Sequence, residues 1–149
     1  MFNTIVVGTD GSETAGSAVE RAVALAALTG ATLHVVNAYR AVSAATMGAV
    51  EGVPIDVGNA NTAAAEESSR VCERAAAPAV AQGLKVATHP IAGDAPAALI
   101  HVANEVGADL IVIGNRGMSG KKRFVLGSVP NTVSHHCPCN LLIVDTTTS

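Results

Sequence analysis

Short apolar runs alternate along this chain with longer segments of helical periodicity. A continuous run of four or five apolar residues predicts a strand buried on both faces. Such runs predict strands at 4–9, 32–38, 110–113 and 141–144. The segment 85–90 alternates apolar and polar residues and ends at a proline, which indicates an edge strand.

Segments with apolar residues three and four positions apart separate these strands and predict helices. They cover residues 13 to about 28, 62 to about 82, 95–106 and 129 to about 136. Strands that alternate with helices form βαβ units, in which the strands are parallel and the crossover is right-handed. The pattern therefore predicts an α/β fold with five strands, in a single domain that spans residues 1–149.

Polar residues, prolines and one featureless stretch mark the boundaries of these elements. Ser12 or Asp10 is expected to cap the first helix, and Asp94 the third. Pro78 predicts a kink or an early end of the second helix. Residues 40–61 contain few charges and no stable periodicity, so we expect a flexible loop or insertion there.

Composition excludes several classes of function. Hydrophobic residues make up 49% of the 149 positions but aromatic residues only 2%, so the core is aliphatic and few side chains could stack on bases. The formal net charge of -3 provides no general basic surface, and we expect no nucleic-acid partner. No apolar stretch approaches the ~18–20 residues of a membrane span, and the N-terminus does not resemble a signal peptide. Three cysteines do not form a disulfide framework, so the expected location is the cytoplasm.

A glycine-rich stretch at 114–128 directly follows the strand at 110–113. Glycine lets a ligand approach the main chain, and the start of the following helix presents free N–H groups and a positive dipole end. Three cations at 121–123 lie in the same stretch, although a basic run in a loop is commonly only a solvated surface. The stretch is interpreted as an anion-binding loop, with phosphate as the first choice of anion.

Open parallel sheets bind ligands outside the carboxyl ends of their strands, where the strand order reverses. Polar and glycine signals follow the first and fourth predicted strands, so one crevice collects them if these strands are neighbours. The segments at the strand ends are Gly8-Thr9-Asp10-Gly11, Asn37-Ala38, Ile91-Ala92-Gly93 and the loop after Ile113. Neither the G-x-G-x-x-G fingerprint nor the P-loop pattern occurs in that loop.

The glycine spacing, in its context, resembles that of universal stress proteins of the nucleotide-binding type. The loop has the pattern G-x2-G-x9-G-S, which runs from Gly114 through Gly117 to Gly127-Ser128. The resemblance covers nearly the whole chain, and it is carried by residues 5–12, 33–36, 93–96, 110–114 and 137–138. It implies a Rossmann-like α/β fold, similar to the adenine nucleotide alpha hydrolases, with a parallel sheet of strand order 3-2-1-4-5 and helices on both faces.

The resemblance further implies an adenine-nucleotide pocket. Asp10 and the backbone around Val35 would hold the adenine and ribose, residues 114–117 would wrap the ribose and phosphates, and residues 127–129 would bind phosphate. The resulting candidate site residues are Gly8, Thr9, Asp10, Val35, Ala38, Gly93, Ile113, Gly114, Asn115, Arg116, Gly117, Gly127, Ser128 and Val129. The alternative is that the glycines are only turn residues and that Asp10 is only a helix cap.

Pro130 departs from the family pattern, which often has a hydroxyl residue at this position. Proline offers neither an N–H group nor a side-chain donor, so the terminal phosphates of ATP are expected to be held less well. ATP remains the first expectation, with Mg²⁺ possible at Asp10, and cyclic AMP or AMP are the alternatives.

Other chemistry is less well supported by the residues. Residues 135–139 read His-His-Cys-Pro-Cys, but the cysteine spacing and the lack of a second ligand pair argue against a metal site. No pair of acid and base is placed for catalysis, so we expect a binding protein with at most weak ATP hydrolysis. The apolar run at 141–144 would lie at a sheet edge and predicts a homodimer through the last strand. A partner-binding module that uses residues 40–61 and needs no nucleotide is a further alternative.

Overall fold

The computed structural model describes residues 1–41, 57–115 and 126–146 of the chain. Five strands in these residues form one sheet, and four helices cover it. The strands are β1 (Thr4–Gly8), β2 (Thr32–Tyr39), β3 (Val86–Ala92), β4 (Leu110–Gly114) and β5 (Asn140–Val144). The helices are α1 (Glu13–Thr29), α2 (Val57–Ala81), α3 (Ala95–Val106) and α4 (Ser128–His136).

The sheet is parallel throughout, with the strand order β3-β2-β1-β4-β5. This confirms the predicted fold and the edge positions predicted for β3 and β5. The chain builds outward from β1 to β3 on one side and then returns to add β4 and β5 on the other. The strand order therefore reverses between β1 and β4, and parallel sheets of this kind bind ligands at that point.

Two aliphatic cores lie on the two faces of the sheet. Helices α1 and α2 cover one face, while α3 and α4 cover the other. Successive residues of a strand point to opposite faces, so Val35 joins the core under α1 and α2, whereas Val36 joins the core under α3. The buried residues of α1 are three or four positions apart, as expected for a helix with one apolar face: Ala18, Val19, Ala22, Val23 and Ala26.

The helix caps differ in part from the expectation. Ser12 is the N-cap of α1, and its Oγ accepts a hydrogen bond from the Ala15 N–H at 3.2 Å. Asp10 instead accepts a hydrogen bond from the Ser12 N–H at 2.8 Å, which closes a turn ahead of the helix. Asp94 occupies the N-cap position of α3, but its side chain makes no capping hydrogen bond.

Helix α2 begins at Val57 rather than at residue 62, so the end of the predicted loop 40–61 is helical. The low helix propensity of Gly58 hid this turn, which the Thr62 hydroxyl supports by donating to the Gly58 carbonyl oxygen at 2.9 Å. Residues 42–56 of the predicted loop lie outside the described residues. The helix continues past Pro78 and ends at Ala81.

Strand β3 extends to Ala92, two residues beyond the end of the strand predicted at 85–90. The strand is longer because β2 also continues to Tyr39 and pairs with Ala92. The Gly93 N–H then donates to the Tyr39 carbonyl oxygen at 2.9 Å, and the turn follows from there. Pro90 lies within β3, and a strand with only one neighbour tolerates a residue without an N–H group.

Candidate functional site

The carboxyl ends of β1, β2 and β4 surround a pocket of about 120 Å³ at the point where the strand order reverses. The starts of α3 and α4 close its sides. The residues that line it are Gly8, Thr9, Asp10, Ala15, Val36, Asn37, Ala38, Ala95, Leu99, Ile113, Gly114, Val129 and Pro130. Most of these are apolar, and the polar side chains of the lining are Thr9, Asp10 and Asn37. An apolar cavity with a few convergent polar groups is typical of small-molecule sites.

The structure brings half of the predicted site residues into this lining. These are Gly8, Thr9, Asp10, Ala38, Ile113, Gly114 and Val129. Five further predicted residues are described but do not line the pocket, namely Val35, Gly93, Asn115, Gly127 and Ser128. Arg116 and Gly117 lie outside the described residues.

Val35 was expected to contribute its backbone, and its side chain points to the face of the sheet away from the pocket. It is completely buried under α1 and α2, and the neighbouring Val36 lines the pocket instead. Strand alternation produces this exchange, since one step along a strand moves a side chain to the other face. Gly93 lies in the turn after β3, and its φ of 137° is a conformation that residues with a side chain rarely adopt.

Asn115 closes the end of the sheet rather than the pocket. Its Oδ1 accepts hydrogen bonds from Thr146, at 3.0 Å from the backbone N–H and at 2.8 Å from the hydroxyl. Its carbonyl oxygen accepts from the Gly127 N–H at 2.9 Å, which joins the two described ends of the glycine-rich loop. The Gly127 N–H, predicted to bind phosphate, is therefore already bonded within the protein.

The turn after β1 carries Asp10, the one ionisable side chain in the pocket lining that the structure describes. One carboxylate oxygen of Asp10 accepts from the Ser12 N–H, and the side chain is exposed at the rim. Thr9 holds the same turn, because its Oγ1 accepts from the Gly11 N–H at 3.1 Å. The turn thus presents a fixed carboxylate to whatever occupies the pocket.

The start of α4 contributes Val129 and Pro130 to the pocket lining. The first N–H groups of a helix have no partner within the helix, and in α4 these include the N–H groups of Ser128 and Val129. Pro130 has no N–H group, and the next one, of Asn131, is bonded to the Gly127 carbonyl oxygen at 3.1 Å. The first turn of α4 therefore offers fewer N–H groups than it would without proline, and Pro130 is a buried part of the pocket wall.

Sequence reasoning missed five lining residues in α1, β2 and α3. These residues are Ala15, Val36, Asn37, Ala95 and Leu99. Asn37 had been placed at a strand end but had not been named as a site residue. Leu99 also belongs to the core under α3, so its helical spacing indicated only burial. Side chains of β2 alternate between the two faces of the sheet, so Val36 could have been identified if the face covered by α3 had been known.

The two cysteines before β5 lie close together, and their thiols donate to backbone carbonyl oxygens. Cys137 Sγ donates to the Cys139 carbonyl oxygen at 3.1 Å. Burial, followed by the neighbouring Cys137, raises the pKa of Cys139 to about 11, so its thiol stays protonated at neutral pH. Within residues 1–41, 57–115 and 126–146, no group of three or more His, Cys, Asp or Glu side chains is arranged to hold a metal ion.

Two histidines contact each other across β2 and β3. His34 Nδ1 lies 2.9 Å from His89 Nε2, and the ring centroids are 5.1 Å apart. Burial lowers the pKa of both rings, and their mutual repulsion when charged lowers the pKa of His34 further. The Glu105 carboxylate of α3 offsets part of the effect on His89. Neutral rings sharing one hydrogen bond are therefore favoured in the folded state.

Protonation of this pair is expected to make the fold less stable in acid. In the unfolded chain both histidines titrate near pH 6.5, above their folded pKa values, so the unfolded state binds more protons. Stability is then complete above about pH 6.5 and falls as the pH drops toward the folded pKa values. Urea denaturation between pH 7.5 and 5.5 measures the slope, which should be smaller in His89→Gln. The exposed His135→Gln is the control, and equal slopes in both variants would contradict the assignment.

None of the helices in the described part of the chain is long and apolar enough to cross a membrane.

Comparison with known proteins places this chain in a family. Residues 1–145 match the model of the universal stress protein family. Universal stress protein YxiE of Bacillus subtilis is 32% identical over 147 residues, which cover 97% of this chain and 99% of that protein. Universal stress protein Rv1636 of Mycobacterium tuberculosis is 36% identical over 150 residues, with 98% of each chain covered.

A solved structure agrees with these relatives. It is a universal stress protein crystallised in complex with cAMP, which superimposes with a TM-score of 0.72 at 34% identity and covers 98% of each chain. The family match over nearly the whole length, the relatives and the shared fold lead to the same assignment. This chain belongs to the universal stress protein family.

Proposed function

We propose that this protein binds an adenine nucleotide in the pocket at the ends of β1, β2 and β4 and acts as a nucleotide-responsive regulator. The observation that carries the proposal is the composition of the pocket, whose mostly apolar lining also contains the Asp10 carboxylate and the first turn of α4. A carboxylate accepts hydrogen bonds from ribose hydroxyls, and helix N-termini bind phosphate. The similarity to a universal stress protein in complex with cAMP supports the same class of ligand.

Pro130 is expected to weaken the hold on the terminal phosphates of ATP, which makes AMP and cyclic AMP competitors of ATP. The start of α4 offers the N–H groups of Ser128 and Val129, but the next position contributes none. Cyclic AMP and AMP need fewer phosphate contacts than ATP, so the missing N–H group costs them less affinity. We therefore expect all three nucleotides to compete for the pocket. If ATP binds, Asp10 is the pocket carboxylate available to an accompanying Mg²⁺.

Calorimetric titration with ATP, AMP and cyclic AMP tests this function. Binding of at least one adenine nucleotide below the millimolar range is expected, and Asp10→Ala should weaken it. If the purified protein binds none of the three at that level, the pocket is not a nucleotide site. Asp10 is the one ionisable group in the described lining, so the proposed role is binding rather than catalysis.

Replacing Pro130 with serine is expected to shift the preference toward ATP. The variant gains an N–H group and a hydroxyl at the start of α4, and a hydrogen bond to a charged group contributes ~1.5–3 kcal/mol. The affinity for ATP relative to AMP should then rise roughly tenfold to 100-fold. Pro138→Ser, at an exposed proline outside the pocket, is the control. An unchanged ratio of ATP affinity to AMP affinity would show that Pro130 does not determine the preference between these nucleotides.

The open edge of β5 supports a further proposal, that two copies of the chain associate through this strand. Among the strands that the structure describes, β5 pairs only with β4, and Leu142 is 37% exposed. An apolar edge strand with unpaired N–H and C=O groups favours pairing with a second chain. Sedimentation at micromolar concentration should give the mass of a dimer, and Leu142→Arg should give that of a monomer. A wild-type monomer mass that does not change with concentration would refute this association.

A further inference from the structure

A chain of buried hydrogen bonds connects α2 to the turn that carries Asp10. Ser68 of α2 donates through Oγ to Asn37 Oδ1 at 2.6 Å and approaches the Asn37 carbonyl oxygen at 3.4 Å. Asn37 then donates through Nδ2 to the Thr9 carbonyl oxygen at 2.8 Å. The three residues are only 2%, 8% and 8% exposed, respectively. Water therefore has little access to replace any of these bonds.

The two bonds at Asn37 fix the orientation of its amide. An amide oxygen accepts and an amide nitrogen donates, so only one of the two flip states satisfies both Ser68 and Thr9. Without the Ser68 hydroxyl, Oδ1 would be buried without its donor. The amide could then rotate, and in the flipped state its oxygen would face the Thr9 carbonyl oxygen.

The position of Thr9 in turn determines where the Asp10 carboxylate lies. The Thr9 backbone is held on both sides, because its N–H donates to the Val36 carbonyl oxygen at 3.0 Å and its carbonyl oxygen accepts from Asn37. The bonds from Gly11 to Thr9 and from Ser12 to Asp10 complete the turn. Loss of the Ser68 hydrogen bond would therefore loosen Asn37, then the Thr9 backbone, and with it the Asp10 carboxylate at the rim of the pocket.

We propose that Ser68 and Asn37 are positioning residues of the nucleotide pocket, which hold the Thr9–Asp10 turn and couple it to α2. The effect on ligand affinity rests on the proposed function, whereas the effect on the turn does not. Ser68 is not among the residues that line the pocket, so its influence on a ligand is indirect.

The first test needs no nucleotide and follows amide hydrogen exchange in the purified chain by NMR. In Ser68→Ala, the Gly11 and Ser12 N–H groups should exchange about 3- to 10-fold faster, as expected for the loss of one neutral hydrogen bond. The Gly30 N–H, which caps α1 at its far end by bonding to Ala26, should be unaffected. Ser69→Ala removes a neighbouring hydroxyl from the same helix and is the control. If Ser68→Ala does not fold, Ser68→Cys retains the size with a weaker donor.

The second test measures AMP affinity by calorimetry in Ser68→Ala, Asp10→Ala and the double variant. Ser68→Ala should weaken binding about 3- to 10-fold, and the same change should have little effect once Asp10 is absent. A merely structural role of Ser68 would lower stability without this dependence on Asp10. Unchanged exchange at Gly11 and Ser12 overturns the inference, as does an affinity loss independent of Asp10. If the wild-type protein binds no adenine nucleotide, the proposed function fails, and the exchange measurement still decides whether Ser68 holds the turn.

Discussion

Replacing Gly8 with valine is expected to lower adenine-nucleotide affinity by on the order of 100-fold. Gly8 ends β1 at the floor of the pocket, between α3 and β4. A Cβ at this position would lie 2.9 Å from Leu99 Cδ2 and 3.5 Å from Ile113 Cγ2. The first distance is shorter than real contacts allow, so Leu99 would have to move, and the remaining valine carbons would occupy pocket volume. The backbone of Gly8 is not in the left-handed region, so the expected loss arises from the filled space.

Calorimetry with AMP and cyclic AMP measures this effect, and two other variants delimit it. Gly8→Ala adds only the Cβ, and the flexible end of Leu99 can yield to it, so a smaller loss is expected. Gly16→Ala is the matched control, because a Cβ at Gly16 meets nothing within 4 Å. This change in the interior of α1 should leave affinity intact and slightly stabilise the helix. Full affinity in Gly8→Val would show that the ligand does not use this pocket.

Replacing Leu33 with alanine is expected to destabilise the fold by about 3 to 5 kcal/mol. Leu33 is completely buried in the core under α1 and α2, on the face of the sheet away from α3. The substitution removes buried methyl and methylene groups and leaves a cavity that the surrounding aliphatic side chains fill only in part. This loss is a large share of the total stability of a typical domain.

Thermal unfolding should show a melting temperature lower by roughly 5 to 20 °C in Leu33→Ala. Leu28→Ala provides the same chemical change at a residue of α1 that is 83% exposed, and its expected effect is below about 0.5 kcal/mol. Because Leu33 is absent from the pocket lining, the folded fraction of the variant should bind nucleotide normally. Equal melting temperatures for the two leucine variants would contradict the assignment of Leu33 to the core.

The order of strands and helices was predictable because each element leaves a local periodic signal. Errors arose where the local signal was weak or where a distant partner decided the outcome. Gly58 concealed the first turn of α2, and the extension of β3 to Ala92 depended on the length of β2, to which it pairs. Neither effect is visible in a window of neighbouring residues.

The site was predicted where its residues follow strands and missed where it depends on orientation. Gly8, Asp10 and Gly114 are placed by the ends of neighbouring strands, and they line the pocket as expected. The resemblance implied a role for the backbone around Val35, whereas the side chain that lines the pocket is that of Val36, on the other face of β2. The nucleotide contact of Asn115 stays a prediction, and the structure adds that its Oδ1 accepts two hydrogen bonds from Thr146.

The sequence by itself determined the α/β class, the aliphatic core, the glycine-rich loop and the resemblance to universal stress proteins. These follow from periodicity, composition and spacing, which are properties of neighbouring residues. Only the tertiary structure decided that Leu99 and Val36 complete the pocket and that Ser68 holds Asn37. Such contacts join side chains from different elements across the sheet, and their existence depends on the face and register that each element adopts after packing.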